Sequence, residues 1–83
     1  MLNVKQNNAE IKAADANRLL DAIIGNLGLK NDAALSRILE VAPPVISKIR
    51  HRKLHIGASM LIRMHEETNL SIRELKTILL EKS

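Results

Sequence analysis

The apolar residues of this chain recur at helical spacing wherever an element could form, and nowhere at the alternating spacing of a strand. Leu19, Leu20, Ile23, Ile24 and Leu27 follow the i, i+1, i+4, i+5, i+8 stripe of a buried helix face. Residues Ala9 to Ala16 are good helix formers, so this first helix is expected to begin as early as Asn8 or as late as Asp15. Gly25 and Gly28 loosen its end, with Gly28 as the C-cap. Asn31 or Asp32 can N-cap a second helix running to about Leu39, with Ala34, Leu35, Ile38 and Leu39 on one face. Glu40-Val41-Ala42 reads as a short turn. Pro43-Pro44 then opens a third helix over about residues 43–51, because proline suits a first turn whose amides lack partners. Pro44 disfavours helical geometry at the residue before it, which makes Pro43 a candidate cap and Pro44 a candidate first helical residue.

In the third helix Val45, Ile46 and Ile49 point inward, while Pro44, Ser47, Lys48 and His51 share the opposite face. A fourth helix is expected from Gly57 or Ala58 to Thr68, burying Met60, Leu61 and Met64. The fifth begins at a capping box, Ser71-Ile72-Arg73-Glu74, preceded by Leu70, which is placed to staple against Leu75. Its stripe is Ile72, Leu75, Ile78 and Leu79. The expectation is an all-α domain of five short helices over residues 9–83, behind a flexible, Asn-rich arm at residues 1–8.

No Phe, Tyr or Trp is present, so aliphatic side chains and Met fill the core alone. At 83 residues the chain buries roughly 60–65% of its unfolded surface, a thin core for one domain. The missing aromatics argue against single-strand platforms, which stack bases on rings. Without cysteine there are no disulfides or thiolate zinc sites, which fits a reducing compartment, and a cytoplasmic location is expected. No signal-peptide pattern is apparent and no apolar run approaches a membrane span.

Charge is localised. Residues 1–47 carry five basic and five acidic side chains, and residues 54–83 carry four of each. The net charge of +4 is therefore Lys48, Arg50, Arg52 and Lys53, interleaved with His51 and followed by His55. A basic cluster where a reading helix would end is the electrostatic footprint of a duplex-DNA binder.

From Asp32 to Ile49, apolar Leu35, Leu39, Val41, Ile46 and Ile49 fit helix-turn-helix spacing, and small Ser36 sits where the two helices would approach most closely. Together with Ala34-Leu35-Ser36-Arg37-Ile38-Leu39, Val45-Ile46-Ser47-Lys48-Ile49-Arg50, Leu61-Ile62-Arg63-Met64 and Leu70-Ser71-Ile72-Arg73-Glu74-Leu75, this resembles the lambda-repressor/Cro-type (XRE-like) helix-turn-helix family over residues 15–80. The resemblance implies a small bacterial or phage-type transcriptional regulator, most plausibly a repressor, that binds double-stranded DNA as a homodimer. It implies base-facing positions at Pro43, Pro44, Ser47 and Lys48, and phosphate contacts from Asn31, Arg37, His51, Arg52 and Lys53. The fifth helix, with Leu79 and Leu80, is the candidate dimer element. Three positions depart from the family pattern: Glu40 stands for the usual turn Gly, Ala42 for the Ser or Thr cap, and prolines for two base-facing residues. Proline can touch a thymine methyl but donates no hydrogen bond.

Other readings of the same residues are plainer. A Lys/Arg run is often a solvated face. His51 and His55 are four apart, the spacing of a metal pair, but no third ligand is nearby in sequence, so no metal or cofactor is expected. No nucleophile–base pair, paired carboxylates or Gly-rich phosphate loop stands out, and enzyme activity is not expected. The rival to DNA reading is a helix-turn-helix used as a protein-interaction module, antitoxin-like or an adaptor, binding a protein partner.

Overall fold

A computed structural model describes residues 16–80, which form five helices and no strand. The first, α1, covers residues 16–27 of the described chain. It is followed by α2 (Asp32–Leu39), α3 (Pro43–Arg50), α4 (Ala58–Glu67) and α5 (Ile72–Leu80). The expected helix start between Asn8 and Asp15, the arm at residues 1–8 and the last residues, 81–83, lie outside the described residues.

One aliphatic core joins all five helices. Leu19, Leu20 and Ile23 of α1 are fully buried and meet Leu35 and Leu39 of α2, Ile46 and Ile49 of α3, Met60 and Met64 of α4, and Leu75 and Leu79 of α5. Each such Leu or Ile contributes about 1.5–3 kcal/mol by leaving water. Leu61 is half-buried rather than core, because it flanks the stripe set by Met60 and Met64. Leu79 belongs to the core, so the outward face of α5 retains Leu80 but not Leu79 as a candidate dimer contact. Ser36 is 2% exposed, and its hydroxyl donates to the Ala33 carbonyl at 2.7 Å, which satisfies the one polar atom at a tight position.

The helix starts follow local chemistry. Asn31 caps α2 by accepting the Ala34 N–H at 2.9 Å. The Ser71–Glu74 capping box closes in both directions, at 2.8 and 3.0 Å. The start of α3 agrees with the expected span, but the candidate cap role of Pro43 is corrected: Ala42 is the N-cap, without a side-chain cap bond, and Pro43 is already helical. The bias before proline is a local clash with the N–H and Cβ of the preceding residue. Pro43 carries no N–H and its ring already holds φ near the helical value, so helical geometry is accommodated in this first turn.

The ends of α1, α2 and α3 share one device. At α1 the N–H groups of Gly28 and Leu29 bond the carbonyls of Gly25 (3.3 Å) and Ile24 (2.9 Å) around a left-handed residue, Gly28, with φ +65°. The same crossed pair recurs at α2, where Glu40 and Val41 bond Arg37 (3.2 Å) and Ser36 (3.0 Å) with Glu40 at φ 58°. It recurs at α3, where Arg52 and Lys53 bond Ile49 (3.1 Å) and Lys48 (2.8 Å) with Arg52 at φ 64°. This is the Schellman closure, which favours glycine at its left-handed position. Glu40 therefore carries backbone strain of about 1 kcal/mol, partly offset by its carboxylate, which accepts Arg63 Nη2–H at 3.0 Å across the turn. The pair is largely exposed and worth well under 1 kcal/mol. Replacing Glu40 with Gly is therefore expected to raise unfolding free energy by about 0.5–1 kcal/mol. Urea unfolding followed by circular dichroism measures this, and a loss of stability would show the Arg63 contact to outweigh the strain.

Candidate functional site

The guanidinium of Arg50, the last residue of α3, is the most highly connected polar group among the described residues. Its Nε and Nη2 donate to the two oxygens of Asp32 at 3.0 and 2.9 Å, a bidentate pairing. Nη2 also meets Asp21 Oδ1 at 2.9 Å, and Nη1 donates to Asn17 Oδ1 and the Asn17 carbonyl at 3.0 and 3.3 Å. The five N–H donors of a guanidinium thus face five acceptors, drawn from α1 and α2. Asn17 answers by donating its Nδ2–H to the Arg50 carbonyl at 3.2 Å. The hydrogen bond with Asp32 leads the causes that hold the Arg50 pKa above its ordinary value, against the opposing effect of burial.

This corrects the charge reading. Arg50 is not a free member of the basic cluster, because its side chain is only 21% exposed and turned toward the helices behind α3. A helical-face count carries the signal: Arg50 stands four residues after Ile46 and next to Ile49, both buried, so it shares the inward side. Counting charge along the chain hides that.

The pairing also redistributes the field. Among residues 16–57 the carboxylates are Asp21, Asp32 and Glu40. The first two hold Arg50 and the third holds Arg63. Lys30, Arg37, Lys48, Arg52 and Lys53 are exposed and make no side-chain hydrogen bond or ion pair with a described residue.

The structure leaves the four positions expected to face bases, Pro43, Pro44, Ser47 and Lys48, exposed on α3. Pro43, Ser47 and His51 line an open groove of about 240 Å³ together with Asp32, Ala33 and Arg50, so they stand at the seam between α2 and α3. Pro44 and Lys48, one turn apart, form the neighbouring strip. Of the positions expected to meet phosphate, Arg37 lies one turn along α2 from Ala33, on the groove side. Asn31 has its side-chain carbonyl committed to the cap, leaving its Nδ2 donors outward. Arg52 and Lys53 follow α3 in its closing turn, and their backbone N–H groups fix that turn.

His51 Nδ1 lies 2.8 Å from the Ser47 carbonyl, so Nδ1 carries the proton and donates. Its Nε2 can then donate to an anion only when the ring is protonated. His51 and His55 are both exposed, and among the described residues no group of three or more metal-ligating side chains comes together. No helix of the described residues is long and apolar enough to cross a membrane.

Comparison with protein-family models, with curated proteins and with solved structures returned no match.

Lysine cannot reproduce a planar fork that grips Asp32 with two bonds and reaches Asp21 and Asn17 at once. Arg50→Lys is therefore expected to cost about 1–2 kcal/mol, scaled down because the aspartates are part-exposed. Denaturant midpoints check this, and an unchanged midpoint would reduce the cluster to a surface ion pair.

Proposed function

We propose that this chain is a lambda-repressor-like helix-turn-helix regulator that binds duplex DNA, α3 entering the major groove and α2 crossing the phosphate backbone. What carries the reading is the internal pairing of Asp21, Asp32 and Glu40. It leaves no unpaired carboxylate among described residues 16–57, while Arg37, Lys48, Arg52 and Lys53 stay unpaired against described residues. An exposed helix face bordered by unpaired cations suits a polyanion whose affinity comes largely from neutralised phosphates. Ser47 and Lys48 would meet base edges, Lys48 by reaching guanine O6 or N7. Arg37, Arg52, Lys53, the Asn31 amide and the His51 ring would meet phosphates. A single module of this size buries little DNA surface, which favours action as a homodimer on paired half-sites.

A protein-interaction role is favoured by a different observation. Ile62 and Leu80 are about half exposed, and Leu80 borders an open furrow with Ile72, Arg73, Lys76 and Thr77. That surface lies on α4 and α5, away from α3, and does not use the free cations there.

Replacing Lys48 and Lys53 with Ala and Arg52 with Gly is expected to abolish retention of duplex DNA at about 150 mM salt while leaving the helical circular-dichroism signal intact. Gly suits the left-handed backbone at position 52. Single replacements should each lower the slope of log affinity against log salt by about one. Unchanged retention by the triple variant would remove α3 and its closing turn as the interface.

A further inference from the structure

We propose that the leading edge of α3 reads the C5 methyl group of pyrimidines in the major groove, with Pro43 and Pro44 as the contact residues. The methyl is that of thymine or of 5-methylcytosine. The inference rests on the duplex-DNA reading above and adds the chemistry that the bound base pairs must present.

Ala33, Ala42, Pro43 and Pro44 are all exposed, and none has a hydrogen-bonding side-chain atom. Proline has no N–H, so the first two residues of α3 also lack the backbone donors with which a helix start ordinarily meets an acceptor. The Ala42 carbonyl already accepts the Val45 N–H at 2.9 Å. Pro43 and Ala33 line the same groove, so the apolar surface runs from α3 onto α2. The nearest carboxylate in that groove, Asp32, has both oxygens held by Arg50. Arg37 lies further along α2, and Lys48 stands one turn beyond Pro44. The edge formed by Ala42, Pro43 and Pro44 is thus apolar, with Ser47 and His51 beside it in the groove and cations along its border.

If those cations seat the phosphates, this patch is pressed against the floor of the major groove. There, adenine, guanine and unmethylated cytosine present donors and acceptors that would lose water and gain no partner, which is unfavourable. A C5 methyl buried against two proline rings loses nothing polar and gains apolar contact. Both effects select the methyl.

The probe is the duplex most enriched from a random pool at about 150 mM salt, remade with deoxyuridine for each thymidine, which removes the methyl alone. The expected result is about a fourfold loss of affinity per contacted methyl. Pro43→Ser with Pro44→Ser, which sets a hydroxyl in place of the ring, should narrow the gap between the thymine and uracil duplexes, and Ser at two exposed first-turn positions is tolerated. In a third arm each thymine is replaced by 5-methylcytosine, paired with guanine. Recovered affinity assigns the surface to the methyl whichever pyrimidine carries it, and no recovery assigns it to thymine. Equal binding of the thymine and uracil duplexes overturns methyl reading and leaves DNA binding standing. So does retention without enrichment of any sequence, or a thymine preference undiminished in the double variant. Retention of no duplex at all overturns both readings.

Discussion

A single guanidinium sets the pose of α3. Arg50 reaches back from the end of that helix to Asp21 and Asn17 on α1 and to Asp32 at the start of α2. Aliphatic packing can hold helices together, but it is non-directional and tolerates small rotations of one stripe against another. A planar fork whose donors each have an acceptor is not tolerant in that way. The core supplies cohesion and Arg50 supplies register, so the outward face of α3 points where it does because the inward face is pinned at its last residue.

The same interaction decides where charge is felt. Three of the six carboxylates among the described residues lie before α4, and all three are paired internally. On the proposed reading, a nominal excess of four positive charges understates the field at α3, because the described acids before α4 are each paired with an arginine. The turns tell a related story. Gly28, Glu40 and Arg52 occupy equivalent left-handed positions, but only Gly28 does so without strain. At position 40 the side chain bonds Arg63 across the turn, and at position 52 it places a cation beside the end of α3. Side chains that do something else have been accepted there at the expense of backbone comfort.

Much of the architecture was legible because helical periodicity is strong when every apolar residue is aliphatic. The Asn31 cap, the Ser71–Glu74 box and the Gly28 closure each followed from a side chain whose chemistry matches one backbone need. Glu40 stands where the resemblance implies a turn Gly, and its backbone is left-handed. What the sequence hid was the partnership of Arg50 with Asp21 and Asp32. Ion pairs eighteen or more residues apart leave no periodic trace, and a one-dimensional charge count treats a pinned cation and a free one alike. The third helix begins at Pro43, as its opening proline pair implies, and only the candidate cap role of Pro43 passes to Ala42. The outward placement of Pro44, Ser47, Lys48 and His51 was legible from the helical wheel, and its use in binding remains a proposal.

The proline pair has a further consequence, for the entropy of recognition. Pro43 and Pro44 have φ confined by their rings before the chain folds, and their side chains have almost no rotamers to lose. A contact surface of long polar side chains must freeze several torsions on meeting its partner, at about 0.5–1.5 kcal/mol for each immobilised side chain. The leading edge of α3 arrives already ordered. On the proposed reading it would have little room to adapt to an imperfect fit, and would discriminate by shape with a rigidity that Lys48, beside it, does not have.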